Sequence, residues 1–386
     1  MLQDPESFVD LDDDMEMKMV MQSIDDQMSE AFTPQVNGSN TWRERTPHGN
    51  IDLLDITYMG YMSVIAEMPD KPDLLIKYQA NCDMVEAPHP LIRDYWYMNE
   101  AASADLGPKA LFLSPPALLC EKREGKCAFT MSDDEFAACR ANNGTLRYMI
   151  MEKAKGVSLH AFRAKHFRKS NGAMGLRNAA IIGCQLIQVL ERLHTETAVV
   201  HGDIHSPNIM ININGDTGKS ELQLIDFGMA FRLSYTSPDD SPALKRYYHP
   251  LCTIWQMCGY RWNARDDILK AIQTIAQIMQ PFEYFDMEKG ILESGWERTE
   301  RWKLRQNWFF TDFHDPVDSL RDVHFDSKIQ LYNVLDELQD TARAITVDRE
   351  IPYDTLVDLF MKCVSLTERT SSTLAPTDIA VRNCKH

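Results

Sequence analysis

Three oxygen-bearing side chains follow one another closely in the middle of the sequence. Asp203 and Asn208 lie five residues apart in the segment His201–Asn208, and Asp226 begins the triplet Asp226–Gly228. One carboxylate can orient a hydroxyl nucleophile, while a second carboxylate and an amide oxygen can hold Mg²⁺ against phosphates. The order of these residues is therefore typical of phosphoryl transfer from a nucleotide.

The flanking segments predict the elements that would position these side chains. Apolar residues recur every three or four positions in 181–194, which predicts a helix with one buried face. After Asn208, isoleucines alternate with other residues over 209–213, and Leu222 and Leu224 follow the turn-rich stretch 214–218. This pattern predicts a β-hairpin between the two acidic segments.

The order helix, loop, hairpin and Asp226–Gly228 resembles the catalytic segment of the protein-kinase superfamily. The resemblance implies an α+β, bilobal fold with a small, mostly β N-lobe and a larger helical C-lobe. It also implies ATP and Mg²⁺ as cofactors. By the resemblance, Asp203 is the catalytic carboxylate that orients the hydroxyl, and Asn208 and Asp226 hold the metal.

A strand-like run and a helix upstream supply two further candidates. Leu74–Tyr78 is an apolar run with a single lysine, Lys77, which resembles the lysine that contacts the α- and β-phosphates. A helical stretch is predicted over 91–106, and Glu100 is the only glutamate between Pro88 and Cys120. The resemblance makes Glu100 the carboxylate that holds Lys77.

A second apolar strand is predicted over Tyr148–Glu152, followed by a short hinge near 152–156. This stretch resembles the strand and hinge that bind adenine in kinases. Met151 would be the gatekeeper beside the adenine, and Glu152 and Ala154 would offer it backbone groups.

The segment Arg265–Asp267 opens an apolar helix and resembles the casein kinase 1-like version of a core helix in the larger lobe. In the family, an aspartate at this point ties down the backbone of the catalytic loop, and the resemblance gives that role to Asp267. Near the end, Cys363–Arg369 resembles the helix and arginine that close a kinase domain.

Several positions depart from the family pattern. Thr57–Ser63 carries the single glycine Gly60 where kinases have a glycine-rich loop, and Leu75 replaces a small alanine over the adenine. Gly202 stands in place of an arginine, and His205 in place of a lysine. No A-P-E motif occurs between residues 228 and 265.

Three functions stay open on these residues. The first is transfer of the ATP γ-phosphate to serine or threonine hydroxyls of a protein substrate, supported by Lys77, Asp203, Asn208 and Asp226. The second is a small-molecule kinase, because H-G-D-x-H-x-x-N with His205 is also the loop of aminoglycoside phosphotransferase-like enzymes. The third is a pseudokinase that binds partners without turnover, supported by the missing glycine-rich loop.

Charge limits the partners. The net charge is −17, and residues 1–30 carry ten acids against one base, Lys18. We therefore expect no nucleic acid and no anionic membrane as a partner. No run approaches the roughly 20 apolar residues of a membrane-spanning helix, and the N-terminus does not resemble a signal peptide. A cytoplasmic or nuclear location is expected, with a removed leader and the oligomeric state left open.

Composition divides the chain into an acidic, flexible extension over 1–45 and a kinase-like domain over 46–386. Within that domain, the N-lobe is predicted over about 46–152 and the C-lobe over about 155–386, with a polar insertion over 115–144. The nine cysteines lack C-x-x-C spacing, which disfavours a zinc site. Free thiols are expected, although three cysteines of the insertion would pair in an oxidising compartment (Cys120, Cys127 and Cys139).

Overall fold

The computed structural model describes residues 44–46, 49–51, 56–59, 63–68, 71–81, 90–115, 117–118, 133–141, 144–166, 173–213, 220–233, 264–279, 325–345 and 350–368. These residues form two compact units. The smaller unit contains the described residues up to Ala154 together with 226–230, and the larger unit contains the others. None of the described helices is both long enough and apolar enough to cross a bilayer.

The smaller unit is built on antiparallel strands. Its elements are β1 (Glu44–Thr46), β2 (Gly49–Ile51), β3 (Ile56–Met59), β4 (Ser63–Met68), β5 (Lys71–Asn81), α1 (Pro90–Ser103), β6 (Ala110–Leu113), β7 (Ala117–Leu118), α2 (Asp133–Ala141) and β8 (Thr145–Glu152). Strands β1 and β2 form a separate pair, while the main sheet has the order β3-β4-β5-β8-β6, with β7 also paired to β8.

The two faces of the main sheet have different surroundings, because side chains alternate along each strand. One face carries the apolar core of the unit (Val64, Ala66, Met68, Ile76, Tyr78, Ala80, Tyr148 and Ile150, with Cys139 of α2 packed among them). The opposite face carries Lys77 of β5, which pairs with Met149 of β8 and Ile65 of β4. Leu75 lies opposite Met151 on that same face, so the residues predicted to face a nucleotide share one side of the sheet.

The predicted polar insertion over 115–144 is partly wrong. It contains helix α2, and Cys139 of this helix is buried in the core of the smaller unit. Cys139 is also disulfide-bonded, whereas Cys184 and Cys363 of the larger unit are free. Sequence patterns did not indicate α2, because nine residues are too few to give a clear helical periodicity.

The larger unit is mainly helical. Its elements are β9 (Val157–Ser158), α3 (Leu159–His166), α4 (Ala173–Glu196), β10 (Val199–Val200), β11 (Ile209–Ile213), β12 (Ser220–Leu224), β13 (Phe231–Arg232), α5 (Ala264–Met279), α6 (Phe325–Arg343) and α7 (Tyr353–Glu368). Helix α4 packs against α7 and α5. A Cβ atom built on Gly183 of α4 would lie 2.5 Å from the buried ring of Phe360, so the glycine lets α4 and α7 approach closely.

The hairpin that was predicted between the acidic segments is present. Strands β11 and β12 pair antiparallel with Ile209 opposite Leu224, and β9 pairs with the other edge of β11. A short 3₁₀ turn, Ser206–Asn208, leads directly into β11. The hairpin therefore fixes the positions of Asn208, which directly precedes β11, and of Ile225, which directly follows β12 and precedes Asp226.

Candidate active site

Lys77 in the smaller unit is held between two carboxylates. Its Nζ donates to Asp94 Oδ2 at 2.7 Å and to Asp226 Oδ1 at 2.9 Å. Lys77 and Asp94 are buried, whereas the side chain of Asp226 is 48% exposed. Burial alone would lower the pKa of Lys77, but the charges of Asp226 and Asp94 outweigh burial and raise it above its usual value. Lys77 is therefore a fixed positive charge.

Asp94, and not Glu100, is the helix residue that holds Lys77. The prediction for Glu100 is wrong at this point, although Glu100 lies on the predicted helix, α1. Six residues correspond to about 600° of helix rotation, so Glu100 points about 120° away from Asp94. Asp94 shares the buried face of α1 with Leu91, Met98 and Ala101. An acid on an apolar helix face was the signal in the sequence that pointed to Asp94.

Asp94 also fixes the backbone next to Asp226. Its Oδ1 accepts a hydrogen bond from the backbone N–H of Phe227 at 2.7 Å, and the Phe227 side chain is fully buried. Asp226 has a φ of 65°, in the left-handed region that costs a non-glycine residue free energy. One carboxylate thus ties both the lysine and the strained turn that carries Asp226.

The loop of the larger unit brings Asp203 and Asn208 together. Asn208 Nδ2 donates to the backbone oxygen of Asp203 and to its Oδ2, each at 3.0 Å. His205 Nε2 lies 3.2 Å from the same Oδ2, and its N–H donates to the carboxylate. Since Nδ2 makes both contacts, Oδ1 is the atom of Asn208 that is suited to a metal ion.

Asp267 on α5 anchors the start of this loop, as predicted. Its Oδ2 accepts from the backbone N–H of His201 at 2.7 Å, and its Oδ1 accepts from that of Gly202 at 2.9 Å. Burial alone would raise the pKa of Asp267. The hydrogen bonds donated by the His194 side chain and by the amide of His201 outweigh burial and hold that pKa below its usual value.

Two further contacts extend this anchor. His194 Nε2 donates to Asp267 Oδ2 at 3.0 Å, so its Nδ1 accepts from the Tyr353 hydroxyl at 2.7 Å. His201 Nε2 donates to the backbone oxygen of Ile225 at 3.1 Å. The loop is therefore tied to α4, α5 and α7 and to the end of β12. Sequence motifs did not indicate His194 or Tyr353, because their roles depend on contacts across 73 and 159 residues of chain.

The residues predicted at the adenine lie at the end of β8. Met151 is buried, whereas Glu152 is exposed and Ala154 is half-buried. The backbone N–H of Glu152 donates to Lys109 O at 2.9 Å, which leaves the carbonyl as the backbone group that Glu152 can offer. Met151 lies on the face of the sheet that carries Lys77, whereas Glu152 is the last residue of β8 and Ala154 follows the strand.

Asp226 in the smaller unit and Asn208 in the larger unit each carry an oxygen of the kind that Mg²⁺ prefers. Within the part of the chain that the structure describes, no cluster of three or more His, Cys, Asp or Glu side chains could hold a metal ion. Mg²⁺ commonly takes only one or two protein carboxylates and completes its shell with phosphate oxygens and water. A half-exposed carboxylate and an amide oxygen are donors of that kind.

Comparison with known proteins agrees with this geometry. A family model described as the protein kinase domain matches residues 138–260, which include Asp203, Asn208 and Asp226 but begin after Lys77. A solved structure of vaccinia related kinase 3 superposes with a TM-score of 0.50 over 89% of this chain and 95% of that chain. The fold is protein-kinase-like.

This result confirms the predicted α+β class, with a sheet-rich N-terminal part and a helical later part. The sequence identity to vaccinia related kinase 3 is 14%, so that likeness concerns the fold alone. A search of curated proteins finds no match. Gly60 and Arg369, on which part of the sequence argument depended, lie outside the described residues.

Proposed function

We propose that this protein is an ATP-dependent phosphotransferase that transfers the γ-phosphate to serine or threonine hydroxyls of proteins. The observation that carries the proposal is the buried Lys77 amine paired with Asp226, a residue 149 positions away. These two residues were assigned to phosphate and metal binding from separate motifs. Their contact supports a common role, and the match to the protein kinase domain supports the same chemistry.

Asp203 is the residue that we assign to the nucleophile. Its Oδ2 is held by Asn208 and His205, and this fixed carboxylate supports the assignment. Asp203 would orient this hydroxyl and accept its proton late in the transfer. Positioning of this kind contributes much of the rate enhancement in phosphoryl transfer.

Lys77, Asp226 and Asn208 are the residues that we assign to the nucleotide. Lys77 would contact the α- and β-phosphates, with Asp94 in the holding role. Asp226 and Asn208 Oδ1 would hold Mg²⁺, which when bound offsets the negative charge of the phosphates. Met151, Glu152 and Ala154 would contact the adenine, with Leu75 above it.

A radiolabelled ATP assay tests the proposal directly. We expect transfer of label to generic protein substrates, and we expect Asp203→Asn to remove it while the variant stays folded. An aminoglycoside panel in the same assay addresses the small-molecule alternative, which the contact between His205 and Asp203 favours. If only an aminoglycoside is labelled, the protein is a small-molecule kinase and not a protein kinase. If no acceptor is labelled, a pseudokinase is favoured.

Asp226→Ala tests the metal assignment separately from turnover. We expect Mg·ATP to raise the thermal unfolding temperature of the wild type and to leave that of the folded variant unchanged, because the variant lacks its carboxylate ligand. ATP with a chelator is the control. A variant that Mg·ATP stabilises as much as the wild type would show that Asp226 is not the metal ligand.

A further inference from the structure

A buried lysine contacts the main chain next to Asp203. Lys270 lies on α5, and its Nζ donates to the backbone oxygen of Gly202 at 2.6 Å. Its side chain is 1% exposed. Lysine is almost never fully buried unless its charge is paired, because removing an ammonium group from water is costly. No sequence motif pointed to this residue.

Lys270 and Asp267 act on the same residue of the loop. They are three positions apart on α5, so they lie on one face of the helix. The Asp267 carboxylate accepts the N–H of Gly202, and the Lys270 ammonium group donates to its carbonyl oxygen. One turn of α5 therefore holds both polar groups of Gly202 with opposite charges. Gly202 has a φ of 76°, a conformation that glycine adopts readily.

The carbonyl that Lys270 holds belongs to the peptide bond that leads into Asp203. The other polar group of this peptide, the N–H of Asp203, donates to His201 Nδ1 at 3.2 Å. The peptide plane is thus fixed at both ends. Because a peptide is planar, fixing both ends sets the direction in which the Asp203 chain continues.

We propose that Lys270 is a positioning residue for Asp203, which acts by fixing the Gly202–Asp203 peptide. This inference rests on the proposed phosphotransferase function. Without the ammonium group, the Gly202 carbonyl would be buried without that donor, and the peptide plane would be held only by the hydrogen bond from the Asp203 N–H to His201. A displacement of about 1 Å at a catalytic group can cost about 100-fold in rate.

Lys270→Met tests the proposal, because methionine has a similar length but no donor. We expect kcat to fall by about 100-fold while the KM for ATP changes much less, since two of the three residues assigned to the nucleotide, Lys77 and Asp226, lie in the smaller unit. Hydrogen exchange should become faster at the amides of Gly202 and Asp203. Lys270→Gln retains a donor and should recover part of kcat. Lys362→Met is the matched control, because Lys362 is 57% exposed on α7 and should change neither readout.

The outcomes separate this inference from the proposed function. If Asp203→Asn is as active as the wild type, the proposed function fails. Hydrogen exchange at the amides of Gly202 and Asp203 would then still test whether Lys270 fixes their peptide. If Asp203→Asn is inactive but Lys270→Met keeps its kcat and its exchange rates, the inference is overturned. Global unfolding of both Lys270→Met and Lys270→Gln would also overturn it, because Lys270 would then be a residue of the general core. In an Asp203→Asn background, Lys270→Met should not lower the residual rate further.

Discussion

Replacing Asp94 by asparagine tests whether Asp94 or Glu100 is the helix residue that holds Lys77. The change is isosteric, and its amide oxygen can still accept from the backbone N–H of Phe227, so it removes mainly the charge beside Lys77. Glu100→Gln is the matched control, because it makes the same chemical change six residues later on the same helix. Only the first variant removes a carboxylate that contacts Lys77 Nζ.

The structure sets the size of the effect. Breaking a buried ion pair by removing one partner costs about 3–5 kcal/mol of unfolding free energy. Asp226 continues to pair with Lys77 at 2.9 Å, so we expect Asp94→Asn to cost about 3 kcal/mol, at the lower end of that range. Glu100 is half-buried and has no part in this pair, so Glu100→Gln should cost about 0.5 kcal/mol or less.

Urea unfolding gives the free energies, and the ATP assay gives the catalytic effect. With Lys77 displaced toward Asp226, we expect kcat/KM for ATP to fall by about 100-fold in Asp94→Asn and to stay near the wild-type value in Glu100→Gln. The reverse order, with Glu100→Gln impaired and Asp94→Asn unaffected, would refute the reasoning. Equal losses in both variants would show that the role does not depend on the contact at 2.7 Å.

Three other predictions concern the larger unit. The pKa of Asp267 is lowered in the folded protein, so the ionised carboxylate stabilises the fold above about pH 3.9, and this stabilisation is lost as the pH falls further. The difference in unfolding free energy between the wild type and Asp267→Asn, measured at a series of acid pH values, should therefore shrink. Ala198 has a φ of 54°, a left-handed conformation that glycine adopts more easily than alanine, so Ala198→Gly should raise the unfolding free energy in urea by about 1 kcal/mol or less. An unfolding free energy below that of the wild type would contradict this argument. Phosphatase treatment should leave activity unchanged, because Asp267 and Lys270 hold Gly202 from within the core; loss of most activity would show that a phosphate is needed.

The elements that carry the catalytic motifs were predictable because each has a strong local signal. The periodicity over 181–194 lies inside helix α4, and the alternating isoleucines form β11 as expected. The strands that carry Lys77 and Met151 were predicted in the same way, from the apolar runs Leu74–Tyr78 and Tyr148–Glu152. Local periodicity is set by which face of an element is buried, and this information is present in a single sequence.

The supports of the site were harder to predict, because they depend on contacts between distant parts of the chain. Glu100 was chosen by residue type, whereas the geometry required an acid on the buried face of α1, and that residue is Asp94. Lys270 reads as an ordinary helix lysine in the sequence. Its contact with the loop is visible only in the folded structure, where Nζ lies 2.6 Å from the Gly202 oxygen.

The charged groups that hold Lys77 and the loop lie inside the protein. Asp94 on α1 accepts from Lys77 Nζ at 2.7 Å. Glycine at 202 has no side chain, and the loop there is held through its main chain by Asp267 and Lys270. Asp94, Asp267 and Lys270 are each at most 1% exposed. Charges that are shielded from water interact more strongly than exposed ones, so this arrangement can hold the loop and Lys77 firmly, and the loss of any one of these groups should be correspondingly costly.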